Sequence, residues 1–300
     1  MIFIDKLIEL DKTLEPEFDR LFKLALKNQP HSGDMLLWYC NGFFDRSILD
    51  YNKSSPPERL SPHLIGPGLE GLSERTHYSF IDKYRKTNIC ELEFTEYLKL
   101  HEWSPERSEE INSIVETEET TIQLEMLIYL KIWEADLIIK KLYELIRIIN
   151  GMNYDWYFEF GKRNRSRLIN NEIRDKLKSI SPILYNLIND EYNTQIRNAI
   201  AHSNYSFHGR SIHLLNFEDK KPSMMRALSF DKWIDVFHNT IALHNHYIRL
   251  NNMANEHYAN LALKHNNEVQ ILITEKGGKQ YSSILLYRED WKDWGYKNHK

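Results

Sequence analysis

The residues best suited to chemistry lie in one short segment, from Gln195 to Tyr205. Arg197 and His202 stand five positions apart there, and Asn198 directly follows the arginine. Histidine, whose ordinary pKa is about 6.5, can accept or return a proton near neutral pH. A planar guanidinium binds two phosphate oxygens at once as they gain charge in a transition state. The arginine and the histidine together therefore predict proton transfer at a phosphate.

The spacing of these side chains adds a geometric constraint. At about 100° per residue, Arg197 and His202 are about 140° apart around a helix, so one helix surface does not bring them together. Asn198 and His202 are four positions apart and share a helix face. A helix end or a second copy of the chain must complete the site. A two-fold interface would join two copies of each residue in one cleft.

A structural interpretation of the same residues stays open. Arg197 would cap carbonyls or pair with an acidic neighbour, and His202 would close a helix C-terminus, where a positive charge is favoured. In a chain with 39 lysines and arginines and 13 histidines, an Arg–His pair at this spacing can also arise by chance. The pair alone therefore does not decide between catalysis and structure.

The pattern around the pair is more specific than the pair itself. Asparagine follows Arg197, small and apolar residues come next, and His202 is followed by serine, asparagine and Tyr205. This pattern at the end of a helix resembles the HEPN (higher eukaryotes and prokaryotes nucleotide-binding) family. Its hallmark is an arginine, four to six residues and a histidine, often with a polar residue after the arginine. The resemblance covers about residues 111–265.

The resemblance implies a metal-independent RNA endonuclease that works as a homodimer through the motif helices. In such nucleases the 2'-hydroxyl of the RNA attacks the adjacent phosphate, which leaves a 2',3'-cyclic phosphate and a 5'-hydroxyl. His202 would move the proton, Arg197 would stabilise the phosphate, and Asn198 would hold a phosphate oxygen or orient the imidazole. No metal and no other cofactor is predicted. By family analogy, the biological role is that of a toxin or an antiviral defence effector.

Two other functions remain as alternatives. Many family members keep the fold without cutting, so the chain could be a non-catalytic HEPN module that binds a nucleotidyltransferase antitoxin or another defence protein. It could also be a helical scaffold. In some toxins of the family one residue separates the histidine from a tyrosine that the antitoxin modifies, whereas here Ser203 and Asn204 separate His202 from Tyr205. That spacing argues against the modification.

Charge is distributed unevenly along the chain. The formal net charge is only −4, which argues against indiscriminate coating of nucleic acid. Residues 91–125 hold eleven acidic and two basic side chains, whereas residues 162–178 hold seven basic and two acidic ones. The basic stretch predicts binding to the phosphates of the RNA backbone. A solvated loop and helix face without a binding role explains the same charges equally well. The residues assigned to RNA binding are Lys162, Arg163, Arg165, Arg167 and Tyr205.

Hydrophobic patterns predict the helices that must position the motif. One continuous helix of about 38 residues is expected to end at Asn150–Gly151, because glycine supplies a left-handed stop. A second long helix is expected from Ser229 towards residue 264. Shorter helices near 168–178 and 184–202 lie between them, and the later one ends in the motif.

These elements predict an all-α fold class, a HEPN-like helical bundle with an N-terminal helical domain and two small β-hairpins. The hairpins are expected at 205–217 and 268–287. The predicted domains are residues 1–110, helical and of unassigned function, residues 111–265, the HEPN-like domain, and residues 266–300, a hairpin and tail.

Secretion and membrane insertion are not predicted. Charges at positions 5, 6, 9 and 11 interrupt any apolar run that could serve as a signal peptide. The most apolar stretch, 126–149, contains seven charged residues, too many for lipid. Cys40 and Cys90 form no CxxC pair, which is typical of a reducing cytosol. We therefore expect a cytoplasmic protein that acts on RNA and has no membrane partner.

Overall fold

The computed structural model describes residues 1–54, 60–218, 221 and 223–297; the side chains of Leu69, Glu70 and Lys162 lie outside that description. The chain divides into two compact units, each built from three separate segments. The first unit comprises Met1–Glu17, Ser73–Ala135 and Leu177–His246, and the second comprises Phe18–Leu72, Asp136–Lys176 and Tyr247–Lys300. Consecutive domains are expected from the sequence, whereas each unit here draws on regions far apart in the chain.

Most of the described chain is α-helical. The helices are α1 Ile4–Asn28, α2 Asp34–Cys40, α3 Arg46–Ser54, α4 Gly68–Thr87, α5 Phe94–Lys99, α6 Ser108–Trp133, α7 Asp136–Ile149, α8 Arg165–Arg167, α9 Asp175–Ile180, α10 Pro182–Glu191, α11 Thr194–Ala201 and α12 Phe230–Leu263. A π-helical stretch, Leu168–Arg174, joins α8 to α9. Within the described ranges, no helix combines the length and the apolar composition needed to cross a bilayer.

The all-α fold class predicted from the sequence is wrong. Eight short strands form three antiparallel sheets in the described part of the chain, so the fold is a helix-rich mixture of α and β structure. The strands are β1 Phe43–Phe44, β2 His63–Leu64, β3 Tyr205–Phe207, β4 Ser211–Leu214, β5 Ala227–Ser229, β6 Glu268–Thr274, β7 Gln280–Arg288 and β8 Asp293–Tyr296.

The sequence did not predict the third strand of two of the sheets, because these strands are short and carry little local strand signal. The two expected hairpins are confirmed as β3–β4 and β6–β7. Each gains a third strand, β5 on one sheet and β8 on the other. β5 has only three residues, and β8 includes aspartate and glycine, which strands disfavour. Their pairing is therefore decided by the neighbouring strand, and it turns two marginal hairpins into three-stranded sheets.

The predicted helix of about 38 residues is also wrong, because it is two helices. α6 ends at Trp133 and α7 begins at Asp136. The Glu134 amide still donates to the carbonyl of Leu130, but the Ala135 amide donates to that of Ile132, which is a tighter turn. Neither glycine nor proline stands at this break; its local mark is the polar stretch Glu134-Ala135-Asp136 within an otherwise apolar pattern.

Two other helix predictions are confirmed. α7 ends before Gly151, which has a φ of +71°, a left-handed conformation that glycine adopts without steric cost. α12 covers the second long helix that was expected from Ser229 onwards. The motif therefore lies on a short helix, α11, between two long ones.

A buried carboxylate of α6 anchors the hairpin that follows the motif. Glu118 accepts hydrogen bonds from the Tyr97 hydroxyl at 2.7 Å and from the Arg210 guanidinium at 3.1 and 2.9 Å. Arg210 lies between β3 and β4 and also donates to Asp231 in the first turn of α12 at 2.8 Å. A buried charge is costly unless it is paired. The hairpin is therefore held at this point by charge pairing as well as by packing.

Glu118→Gln tests this anchor. We expect the free energy of unfolding to fall by about 2–4 kcal/mol, because the substitution removes the carboxylate from a buried ion pair and leaves Arg210 with Asp231 as its remaining carboxylate partner. Urea denaturation measures the change. Glu116→Gln, at an exposed position of the same helix, should change stability by no more than about 0.5 kcal/mol. Equal effects of the two substitutions would contradict the anchoring role.

Candidate functional site

The motif helix α11 is set up by its own N-terminal cap. The side-chain oxygen of Asn193 accepts hydrogen bonds from the amides of Gln195 at 2.8 Å and Ile196 at 3.2 Å. Ile196 and Ala199 face the core of the first unit and are buried. A helix of eight residues is marginal on its own. Its position is therefore set by the cap and by packing.

The other end of α11 presents His202 to solvent. The Asn204 amide reaches back to the Ala199 carbonyl at 2.7 Å, and the Ser203 amide donates to the Ile200 carbonyl at 3.2 Å. Ser203 has a φ of +54°, so these two bonds form a Schellman-type helix end. The chain turns away directly after His202, and this side chain is left exposed.

Arg197 reaches a carboxylate at the end of α6. Its Nη1 atom lies 3.0 Å from Oε1 of Glu134. The Arg197 side chain is 19% exposed and that of Glu134 is 35% exposed. Glu134 is the residue at which α6 leaves the helical path, so the break places this carboxylate beside the motif. An ion pair between Arg197 and an acidic neighbour is what the structural interpretation of the motif expects.

Two aromatic side chains from the same end of α6 hold the turn that leads into α11. The Tyr129 hydroxyl donates to the carbonyl of Glu191 at 2.9 Å and accepts from the Asn193 amide at 3.4 Å. The Trp133 ring packs against the Tyr192 ring with centroids 5.0 Å apart. Sequence reasoning missed these contacts, because they join residues more than 55 positions apart that carry no shared motif.

A polar clamp joins α11 to the segment after β4. The Gln195 side chain donates to the Met225 carbonyl at 2.7 Å and accepts from the Met225 amide at 3.0 Å. Asn216 donates to the Gln195 backbone carbonyl at 2.9 Å. Gln195 thus pairs with the backbone of Met225 as a strand neighbour would, and it fixes the first turn of α11.

The three predicted catalytic residues share α11 and its end. Arg197 and Asn198 are partly buried, and His202 is exposed. Because Arg197 and His202 are about 140° apart around the helix, they do not converge on one patch of it. Tyr205 opens β3, is partly buried, and packs 5.7 Å from the Phe207 ring.

The predicted RNA-binding arginines belong to the second unit, whereas the motif belongs to the first. The Arg163 guanidinium stacks on the rings of Tyr143 and Phe158, with centroid distances of 5.0 and 4.7 Å. Nη2 of Arg165 lies 2.5 Å from Oδ1 of Asp136. Both guanidinium groups thus have partners within their own unit. Their role in RNA binding stays a prediction.

The other two basic residues of the stretch that are assigned to RNA binding are Lys162 and Arg167. Arg167 is exposed, and its backbone amide donates to the side chain of Asn164 at 3.0 Å. The side chain of Lys162 lies outside the described part of the chain. Within the described residues, no group of three or more His, Cys, Asp or Glu side chains is arranged to hold a metal ion.

Part of the acidic stretch 91–125 serves the core of the first unit. Besides Glu118, the carboxylate of Glu125 is buried and accepts hydrogen bonds from the Tyr84 hydroxyl at 2.9 Å and from the Trp233 indole at 2.8 Å. Buried polar groups need such partners. These two charges therefore stabilise the unit and do not belong to an exposed acidic surface.

Comparisons with known proteins add no relative to this picture. A scan against protein-family models, a search of curated proteins and a search of solved structures each find no match to this chain. The likeness to the HEPN family therefore rests on the motif residues themselves. The chemical role of the motif has to follow from the geometry of α11 and its neighbours.

A fully buried acid closes α10, six residues before Arg197. Glu191 has no solvent exposure. Burial, which penalises the charged form, raises the pKa of its carboxyl well above the ordinary 4.5, and Asp190 raises it further. Lys232 and Asn239 act in the opposite direction and are outweighed. Burial therefore favours the neutral form of Glu191, which ends α10 before the turn that leads into the motif.

Glu191→Gln is expected to make stability less dependent on pH. In the wild type the unfolded chain releases the Glu191 proton above pH 4.5 while the folded chain keeps it, so stability falls as pH rises above that value. The variant loses this contribution and should gain stability relative to the wild type at pH 8, but not at pH 4. Urea denaturation across this range measures it.

The control for this prediction is Asp190→Asn, at the exposed neighbouring position. It should leave most of the pH dependence in place, since the buried acid remains. If the wild type and Glu191→Gln lose stability in parallel as pH rises, Glu191 does not carry a raised pKa.

Proposed function

We propose that this chain is a metal-independent RNA endonuclease of HEPN type that acts in the cytoplasm as a toxin or antiviral effector. The observation that carries the proposal is the end of α11: an exposed imidazole, His202, on the same short helix as a guanidinium held at 3.0 Å by a carboxylate. Asn198 lies one helical turn before the histidine. The biological role follows from family analogy alone.

The proposed reaction needs only groups of these types. His202 takes the proton from the RNA 2'-hydroxyl as that oxygen attacks the adjacent phosphorus. The new bond to the 2'-oxygen forms as the bond to the 5'-oxygen breaks, and a protonated imidazole returns a proton to the leaving oxygen. Arg197 stabilises the charge on the non-bridging oxygens. The products are a 2',3'-cyclic phosphate and a 5'-hydroxyl.

A homodimer through the motif helices belongs to the proposal, because Arg197 and His202 diverge around α11. Two apolar side chains support a contact beside the motif: Leu124 and Leu127 of α6 are 42% and 43% exposed. Leu127 lies two helical turns before Glu134 and therefore on the same face of α6. Exposed leucines next to a polar site suit burial by a second copy of the chain.

A non-catalytic HEPN module that binds an antitoxin or another defence protein is the second candidate. The ion pair between Arg197 and Glu134 favours it, because a guanidinium that already serves an ion pair within the fold has a structural reason to be present. In this function the exposed end of α11 would be a binding surface.

Cleavage of RNA in EDTA tests the proposed reaction. The wild type should cut, and the new ends should carry a 5'-hydroxyl that polynucleotide kinase labels without prior phosphatase treatment. His202→Ala should lower the rate by about 100-fold or more, because it removes the proton-transfer group. His208→Ala, an exposed histidine in the following turn, is the matched control and should retain wild-type activity.

Three results would contradict the endonuclease. One is cleavage that requires Mg²⁺, and another is cleavage that persists undiminished in His202→Ala. The third is no cleavage of any RNA by a dimer freed of co-purified partners, which would favour the binding module.

Leu127→Arg tests the dimer. A charge in a buried contact between copies should shift the protein from dimer towards monomer in light scattering at micromolar concentration, and it should lower the cleavage rate with it. Ile8→Arg changes an exposed apolar side chain on α1, 52% exposed, and should leave the mass unchanged. A wild type that is monomeric at every concentration would remove this part of the proposal.

A further inference from the structure

Glu134 directly follows the last residue of α6, and neither glycine nor proline ends the helix there. Its backbone has a φ of −107° and a ψ of −4°, at the edge of helical geometry, and its amide still donates to the Leu130 carbonyl at 2.8 Å. A carboxylate at a helix C-terminus is repelled by the partial negative charge of the last carbonyls. The Arg197 guanidinium offsets this repulsion, so the ion pair stabilises an otherwise unfavourable placement.

The ion pair also restrains Arg197. An arginine side chain is long and flexible, and fixing it removes rotamer entropy that an interaction must offset. Here the Arg197 side chain is only 19% exposed, and its Nη1 atom meets Oε1 of Glu134 at 3.0 Å. A largely buried charge is stabilised by a charged partner. The carboxylate of Glu134 therefore limits the positions that the guanidinium can take.

We infer that Glu134 is a positioning residue, which holds the Arg197 guanidinium in the orientation that the reaction uses. This inference rests on the proposed endonuclease function. Glu134 itself does not touch the reacting atoms; it acts through Arg197. The break between α6 and α7 is then part of the site, because it places this carboxylate next to α11.

A positioning role has a kinetic signature that a purely structural one lacks. A carboxylate near the RNA repels its phosphates, so Glu134 weakens substrate binding while it orients the guanidinium. Removing the charge should therefore lower kcat and leave KM unchanged or lower. Loss of fold would instead reduce the amount of active protein and the thermal midpoint together.

The experiment compares wild type, Glu134→Gln and Glu134→Asp in steady-state RNA cleavage in EDTA, with Glu116→Gln as the control at an exposed acid of the same helix. We expect Glu134→Gln to lower kcat about tenfold, because a misplaced catalytic group costs at least that much. KM should not rise. Glu134→Asp, which keeps the charge, should give an intermediate kcat, and the control should match the wild type.

A second comparison asks whether Glu134 acts through Arg197. In an Arg197→Lys background, Glu134→Gln should cost little more, because the group that it orients is already replaced. An equal cost in both backgrounds would overturn the inference, and so would a kcat at or above the wild-type value in Glu134→Gln. If Glu134→Gln does not fold, the Glu134→Asp rate decides alone, and a wild-type kcat there counts against positioning.

Failure of the proposed function looks different. If the wild type itself does not cut RNA, the endonuclease is rejected and the role of Glu134 in it is rejected as well. If the wild type cuts and the Glu134 variants cut at the same rate as the Glu116→Gln control, the endonuclease stands and the positioning role is overturned.

Discussion

The C-terminal turns of α6 are the support on which the candidate site depends. Tyr129 bonds the backbone at the α10–α11 turn, Trp133 packs on the ring next to it, and Glu134 pairs with the motif arginine. A helix as short as α11 has little stability of its own. Contacts with α6 therefore set its orientation, and a shift of α6 would move the backbone and the guanidinium of the motif together.

Buried charge has a second structural role in the same unit. Glu118 fixes the hairpin after the motif, and Glu125 joins two aromatic side chains in the core, each with its polar partners in place. Glu191 differs, because its burial raises the pKa of the carboxyl and favours the neutral form. A carboxylate with its hydrogen-bond partners in place and a carboxyl group whose burial favours the neutral form both avoid an unpaired buried charge. Such a charge would be far more costly.

The motif itself divides into a constrained part and an accessible part. Arg197 is held by contacts within the fold, whereas His202 stands at a helix end that faces solvent. A proton-transfer group must reach its substrate, and a phosphate-binding group gains from being preorganised. The divergence of the two around α11 is why a second copy of the chain is part of the proposed site.

The sequence by itself determined the residue types of the motif, the long helix α12, the glycine stop at Gly151 and two of the hairpins, because periodicity, caps and turn residues are local signals. It did not reveal the third strands, the end of α6 at Trp133 or which acidic residue pairs with Arg197. These depend on contacts between distant segments, which the local residue types do not specify. Only the tertiary structure decided which carboxylate meets the arginine, because that depends on where α6 ends relative to α11.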